Sequence, residues 1–163
     1  MDHAPPTPHH VHSDRPAGGE SLNYTAWVAT LHCLLGCSIG EVAGLLIGTA
    51  LGWSNAATIV LAIVLAFITG FAFTALPFLR RGYAIKAALR IALAADAASI
   101  TIMELVDNSL MLAIPGAMDA PIDSLFFWAS MGVALVVAGV AAYPVNRWLI
   151  ARGKGHAVAH AHH

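Results

Sequence analysis

Four apolar stretches, each longer than about 20 residues, constrain this chain more than any other feature. A helix rises about 1.5 Å per residue, so each stretch can cross roughly 30 Å of hydrocarbon. A helix also satisfies its own backbone hydrogen bonds, as lipid requires. We therefore predict an all-α integral membrane protein with four transmembrane helices in a compact bundle. The stretches cover about residues 24–52, 57–79, 85–114 and 124–150.

Composition supports the same class and removes others. The chain is 58% apolar and only 10% charged, whereas a soluble domain carries about 25% charge. With a net charge of −1 and no basic patch, we expect no nucleic acid among its partners. The sequence has no nucleotide-binding loop, GxSxG elbow or HExxH motif, so common hydrolases and nucleotide-driven proteins lack support. The lipid bilayer is the predicted partner.

The distribution of basic residues predicts the orientation. In a four-span arrangement all eight lysines and arginines fall on one side, and the opposite connections, 53–56 and 115–123, contain none. The positive-inside rule then places both termini in the cytoplasm. We divide the chain into a disordered His/Pro-rich tail over residues 1–22, a transmembrane domain over 23–152 and a His-rich tail over 153–163.

The first apolar stretch carries polar groups that lipid disfavours. LHCLLGCSIGEVAG, residues 31–44, contains His32, Cys33 and Cys37. Cysteines four residues apart present both sulfurs on one side of a helix, and thiols with an imidazole suit Cu(I) or Zn(II). We predict a metal site there, with copper favoured over zinc, completed by Asp96 or Met103 of the third helix. Cysteine also packs well as a small apolar residue beside glycine, and that alternative stays open.

Small residues recur on the same helix every four positions. Such a pattern lets a second helix approach closely, because van der Waals packing holds helices together in lipid. We expect the neighbour to be the third helix, which is rich in alanine. The predicted packing residues are Gly36, Gly40, Gly44 and Gly48.

Carboxylic acids are the second unusual feature of the apolar stretches. Buried ionisable groups in a membrane are costly and usually functional, as proton relays or ion ligands. We predict that Glu41 of the first helix and Glu104 of the third lie at a similar depth and form an ion or proton path with Asp107 and Asn108. The alternative is a structural role, in which protonated acids hydrogen-bond across a helix interface.

Three motifs resemble a bacterial membrane family known as domain of unknown function 4396. They are HCLLGCSIGEVAG, ALPFLRRGY and ALRIALAADAASITIMELVDN, and the similarity covers about residues 28–150. The resemblance implies a helical unit of the bacterial cytoplasmic (inner) membrane, and it brings no established activity. The marked residues it implies are His32, Cys33, Cys37, Glu41, Glu104, Asp107 and Asn108.

Together these features favour a copper-binding membrane protein that transports or handles the metal. A single four-helix unit leaves little room for a pore, so we predict a homo-oligomer, and the His-rich tails would concentrate metal. The alternative is a metal-independent proton or cation channel or transporter that uses the carboxyl groups. A third possibility is a membrane redox enzyme that binds iron or cycles its two thiols between reduced and oxidised forms, although enzymatic activity is the less favoured interpretation.

Overall fold

The computed structural model describes the backbone of residues 19–152 and the side chains of residues 22–152. This part of the chain is helical and contains no strand, which confirms the predicted all-helical class with four helices. The His-rich tails predicted over 1–22 and 153–163 lie almost entirely outside the described residues. The helices are α1 (Gly19–Ala50), α2 (Asn55–Arg80), α3 (Ile85–Ala113) and α4 (Leu125–Ala151).

Tight turns separate the first three helices and make chain neighbours antiparallel. Gly52 and Gly82 end α1 and α2 with φ values of 66° and 85°, a conformation that disfavours residues with a Cβ. The Ser54 side chain accepts a hydrogen bond from Ala57 N and caps α2. Ser124 caps α4 in the same way, accepting from Phe127 N. Four antiparallel helices follow from these short connections.

The bundle brings α1 and α3 together across its centre, while each packs more extensively along α2 and α4. The longest interface joins α1 to α2, and the glycines of α1 lie in it. A Cβ added to Gly44 would collide with the Ala62 backbone, and one added to Gly48 would meet Thr58 Oγ1 at 2.5 Å. The prediction that this glycine face packs against α3 is therefore wrong. The spacing predicts close approach, and the partner is α2.

Apolar side chains cover the outside of the bundle. Leu105 of α3 and Val136 of α4 are among many large hydrophobic residues exposed on the surface. Three helical segments are long and apolar enough to cross a membrane: Leu22–Ala50, Asn55–Arg80 and Leu125–Ala151. These findings indicate a membrane protein. Helix α3 has the length of a span but carries acids on its buried face and basic residues near its start.

Four buried apolar clusters lie in the described part of the chain, and two of them flank the bundle centre, one on each side. We call these two the Cys37 cluster and the Leu45 cluster. The first comprises Cys33, Cys37, Ala66, Ile100, Met103, Ala138 and Ala142. The second comprises Leu45, Ala62, Met111, Ala117, Phe127, Met131 and Ala134.

Candidate functional site

A pair of carboxyl groups lies between the two apolar clusters, where α1 meets α3. Glu41 and Asp107 are only 3% and 2% exposed, and their carboxyl groups lie against each other. No N–H or hydroxyl group in the described residues donates to either Asp107 oxygen. Two ionised carboxylates have no donor between them, so a hydrogen bond in this pair requires a proton on one of the two groups.

Helical periodicity explains why the pair is enclosed. On α1, Glu41 follows Cys37 by four residues and precedes Leu45 by four. On α3, Asp107 stands at the same spacing between Met103 and Met111. Residues four apart share a helix face, so each acid has an apolar neighbour about one turn above and below. The pair is thus a polar layer between the Cys37 and Leu45 clusters.

Glu104 and Asn108 extend this polar layer along α3. The Asn108 Nδ2 group donates to the Glu104 backbone oxygen at 2.9 Å and to its Oε2 at 3.4 Å. Glu104 is buried and interacts electrostatically with Asp107 and Glu41. The structure therefore brings together the four residues assigned to the ion or proton path: Glu41, Glu104, Asp107 and Asn108.

A second polar group lies nearer the start of α3. Asp96 is buried, hydrogen-bonds with Thr74 of α2 and interacts electrostatically with His32 of α1. The His32 ring packs against Phe73, with centroids 4.6 Å apart and planes tilted by 47°. This group joins three helices, and it lies about 12 Å along α3 from Glu104, at about 1.5 Å per residue.

The two cysteines belong to the apolar interior. Both are free thiols and both are buried. Cys37 Sγ donates to the Cys33 backbone oxygen at 3.0 Å and lies 3.7 Å from Met103 Sδ. The helix thus satisfies the Cys37 thiol locally, and Met103 packs over it as part of the Cys37 cluster.

The predicted copper-binding function is wrong. Within residues 19–152, no three His, Cys, Asp or Glu side chains are grouped so that they could hold a metal ion. The structure divides the predicted ligands instead. His32 is directed toward Phe73 and Asp96, whereas Cys33, Cys37 and Met103 pack in the Cys37 cluster. The physical reason is that adjacent residues project about 100° apart on a helix, so His32 and Cys33 face different neighbours.

A cavity of about 400 Å³ opens near the connections that follow α1 and α3. Leu45 and Phe127 line its inner part, and the Asn55 Nδ2 group donates to Asp119 Oδ1 at 3.2 Å beside it. Sequence reasoning missed this cavity, since its lining comes from two connections far apart in the chain. The remaining lining residues are Thr49, Gly52, Trp53, Thr58, Met118, Ala120, Pro121 and Ile122.

Sequence reasoning also missed a polar link between α1 and α4. The Asn146 Nδ2 group donates to Thr30 Oγ1 at 2.9 Å, and the Thr30 hydroxyl donates to the Ala26 oxygen at 2.8 Å. Both side chains are buried. A lone asparagine in an otherwise apolar helix was the available signal, because an amide in lipid needs a partner.

Comparison with known proteins agrees with the resemblance found in the sequence. The model of the family described as Domain of unknown function (DUF4396) matches residues 23–155, which confirms that resemblance. No curated protein and no solved structure matches the chain.

Proposed function

The chain belongs to the DUF4396 family, whose description assigns no activity, and we propose that it carries protons across a membrane on buried carboxyl groups. The observation that supports this proposal is the Glu41–Asp107 pair. These two buried carboxyl groups lie against each other, and a hydrogen bond forms between them only when they share a proton. Metal coordination needs several converging ligands, whereas proton transfer needs only a donor and an acceptor in contact. The pair meets the second requirement.

The neighbouring groups supply sites on either side of the pair. Glu104 can accept a proton released by Asp107, with Asn108 holding the Glu104 side chain. Toward the start of α3, Asp96 and His32 form the next titratable group. Ser99 lies between Asp96 and Glu104 along α3 and is fully buried. It has no hydrogen-bond partner among the described residues, so its hydroxyl is available to an internal water.

We propose further that α3 spans the membrane with the other three helices and that both termini are cytoplasmic. Lipid tolerates acids that point into a bundle, and those of α3 are buried. Arg80 and Arg81 lie at the α2–α3 turn, while Arg147 and Arg152 lie at the end of α4. The Arg147 Nε group donates to Asn23 Oδ1 at 2.7 Å, which joins the end of α4 to the start of α1. In a bacterial inner membrane this basic end faces the cytoplasm.

Proton flux into liposomes tests the function. The purified full-length chain is reconstituted with a pH-sensitive dye inside, and an inward proton gradient is applied with valinomycin and potassium to clamp the voltage. Asp107→Asn and Glu41→Gln keep the size of the side chain but remove the shared proton. We expect each to lower the flux by roughly 100-fold, within the range by which a positioned proton donor accelerates transfer.

Asp123→Asn is the matched control, because Asp123 is an exposed acid in the connection before α4. Its flux should equal that of the parent. Infrared spectroscopy supplies a second readout, since the parent should show a carboxylic-acid carbonyl band that Glu41→Gln weakens. A parent flux no greater than that of empty liposomes would exclude proton transport. Equal flux in the parent and Asp107→Asn would exclude the pair as the carrier.

A further inference from the structure

The cavity and the carboxyl pair are separated by a thin apolar layer. Leu45 and Phe127 belong both to the lining of the cavity and to the Leu45 cluster. Glu41 precedes Leu45 by four residues, and Asp107 precedes Met111 by four. Because α1 and α3 run in the same direction, each step leads from the Leu45 cluster to the pair across about 6 Å, one helical turn, and Leu45 itself also lines the cavity.

The layer consists of buried apolar side chains, which offer water no hydrogen-bond partner. Its members come from all four helices and the connection before α4, and Leu45, Met111 and Phe127 are all less than a tenth exposed. On the far side lie the two buried acids, Glu41 and Asp107. On the near side, the cavity is partly polar, with Thr49, Asn55 and Asp119 in its wall.

We propose that the cavity is the proton entrance of the protein, and that Leu45, Met111 and Phe127 form the barrier between its water and the Glu41–Asp107 pair. The role of the cavity as a proton entrance rests on the proposed function. The barrier itself is a property of water access and can be measured without transport. Leu45 is the residue to change, because it contacts the cavity and lies one turn from Glu41.

Thiol labelling measures water access on the two sides of the layer. In the full-length chain with Cys33→Ala and Cys37→Ala, a single cysteine is introduced either in the cavity wall (Thr49→Cys) or behind the layer (Glu41→Cys). A membrane-impermeant thiosulfonate reagent is applied to the protein in liposomes. Thr49→Cys should react roughly 100-fold faster than Glu41→Cys, since an apolar layer raises the cost of admitting a polar reagent.

Adding Leu45→Ser to Glu41→Cys should then accelerate labelling by about tenfold, because the serine hydroxyl favours hydration of the layer. Leu46→Ser is the matched control. Leu46 is 46% exposed on the outside of the bundle, whereas Leu45 is 7% exposed, so Leu46→Ser should leave the labelling rate unchanged. In the otherwise unmodified chain, Leu45→Ser should also raise the proton flux several-fold.

The outcomes separate the two proposals. Labelling as expected, with no flux in any variant, supports the barrier and overturns the proton-transport function. Equal labelling of Thr49→Cys and Glu41→Cys overturns the barrier, whatever the flux. The comparison of those two positions needs no substitution in the layer itself, so it decides the question even where Leu45→Ser reduces folding.

Discussion

The contact between α1 and α2 makes a quantitative prediction about Gly44. A Cβ at this position would meet Ala62 N at 2.6 Å and the Ala62 Cα closer still, whereas ordinary contact lies at 3.4–4 Å. The obstacle is backbone, which cannot rotate away as a flexible side chain can. Gly44→Ala therefore forces the two helices apart by about 1 Å, enough to lose a quarter to a half of the local dispersion energy.

Gly132→Ala provides the matched control for this change. Gly132 lies within α4, and an added Cβ there meets nothing within 4 Å. Both substitutions gain the same helix propensity, about 1 kcal/mol, so that gain cancels in the comparison. The difference between the two variants isolates packing. We expect Gly44→Ala to be less stable than Gly132→Ala by about 1–3 kcal/mol, the usual cost of overpacking a core.

Unfolding by sodium dodecyl sulfate in mixed micelles, followed by circular dichroism, measures this difference in the free energy of unfolding. Gly36→Ala adds an intermediate point, since its Cβ would lie 3.0 Å from the Gly70 Cα, a milder collision. The expected order of stability is Gly132→Ala, then Gly36→Ala, then Gly44→Ala. Equal unfolding free energies for Gly44→Ala and Gly132→Ala would refute the close α1–α2 contact described here.

Three further predictions concern other parts of the bundle. Cys33→Ala combined with Cys37→Ala should leave the proton flux within about twofold of the parent, because the thiols pack in the Cys37 cluster and lie outside the proposed carrier; a loss as large as that of Asp107→Asn would contradict this. Asn146→Leu removes the hydrogen bond to Thr30 and should lower the free energy of unfolding by about 0.6 kcal/mol, the average value of an interhelical hydrogen bond in a membrane protein. In a Thr30→Val background, where this bond is already lost, Asn146→Leu should cause no further decrease in the free energy of unfolding. Trp128→Phe should lower the free energy of unfolding by about 1 kcal/mol, because the indole N–H donates to the Ile122 oxygen at 2.6 Å. Trp148→Phe is the control: the Trp148 ring contacts Arg152, and its replacement should have a smaller effect in the same unfolding assay.

The Glu41–Asp107 pair shows how far the candidate site could be predicted from the sequence. Acids in an apolar stretch are a strong local signal, and the expected depth match between Glu41 and Glu104 requires only helix rise and direction. The structure places Glu41 against Asp107 as well, one turn further along α3. The pairing of Glu41 with Asp107 depends on how each helix is rotated about its own axis. The sequence of one helix does not specify the rotation of its neighbour.

The failed copper site has the same physical origin. Spacing correctly predicts that Cys33 and Cys37 share a side of α1, and composition correctly identifies thiols and an imidazole within one turn. A metal site also needs convergence in three dimensions, and convergence depends on which helix each face meets. His32 meets Phe73 of α2, while Cys37 meets Met103 of α3, so the predicted ligands point to different partners.

The sequence by itself determined the class, the number of helices and their approximate ends, because length, hydropathy and turn residues act locally. It also determined which residues are costly in lipid. Only the tertiary structure decided that the glycine face of α1 packs on α2, that Glu41 pairs with Asp107, and that two connections enclose a cavity above an apolar layer. The reason is that lipid supplies no preference among apolar faces: close packing between whole helices selects the partners, and it depends on all four helices at once.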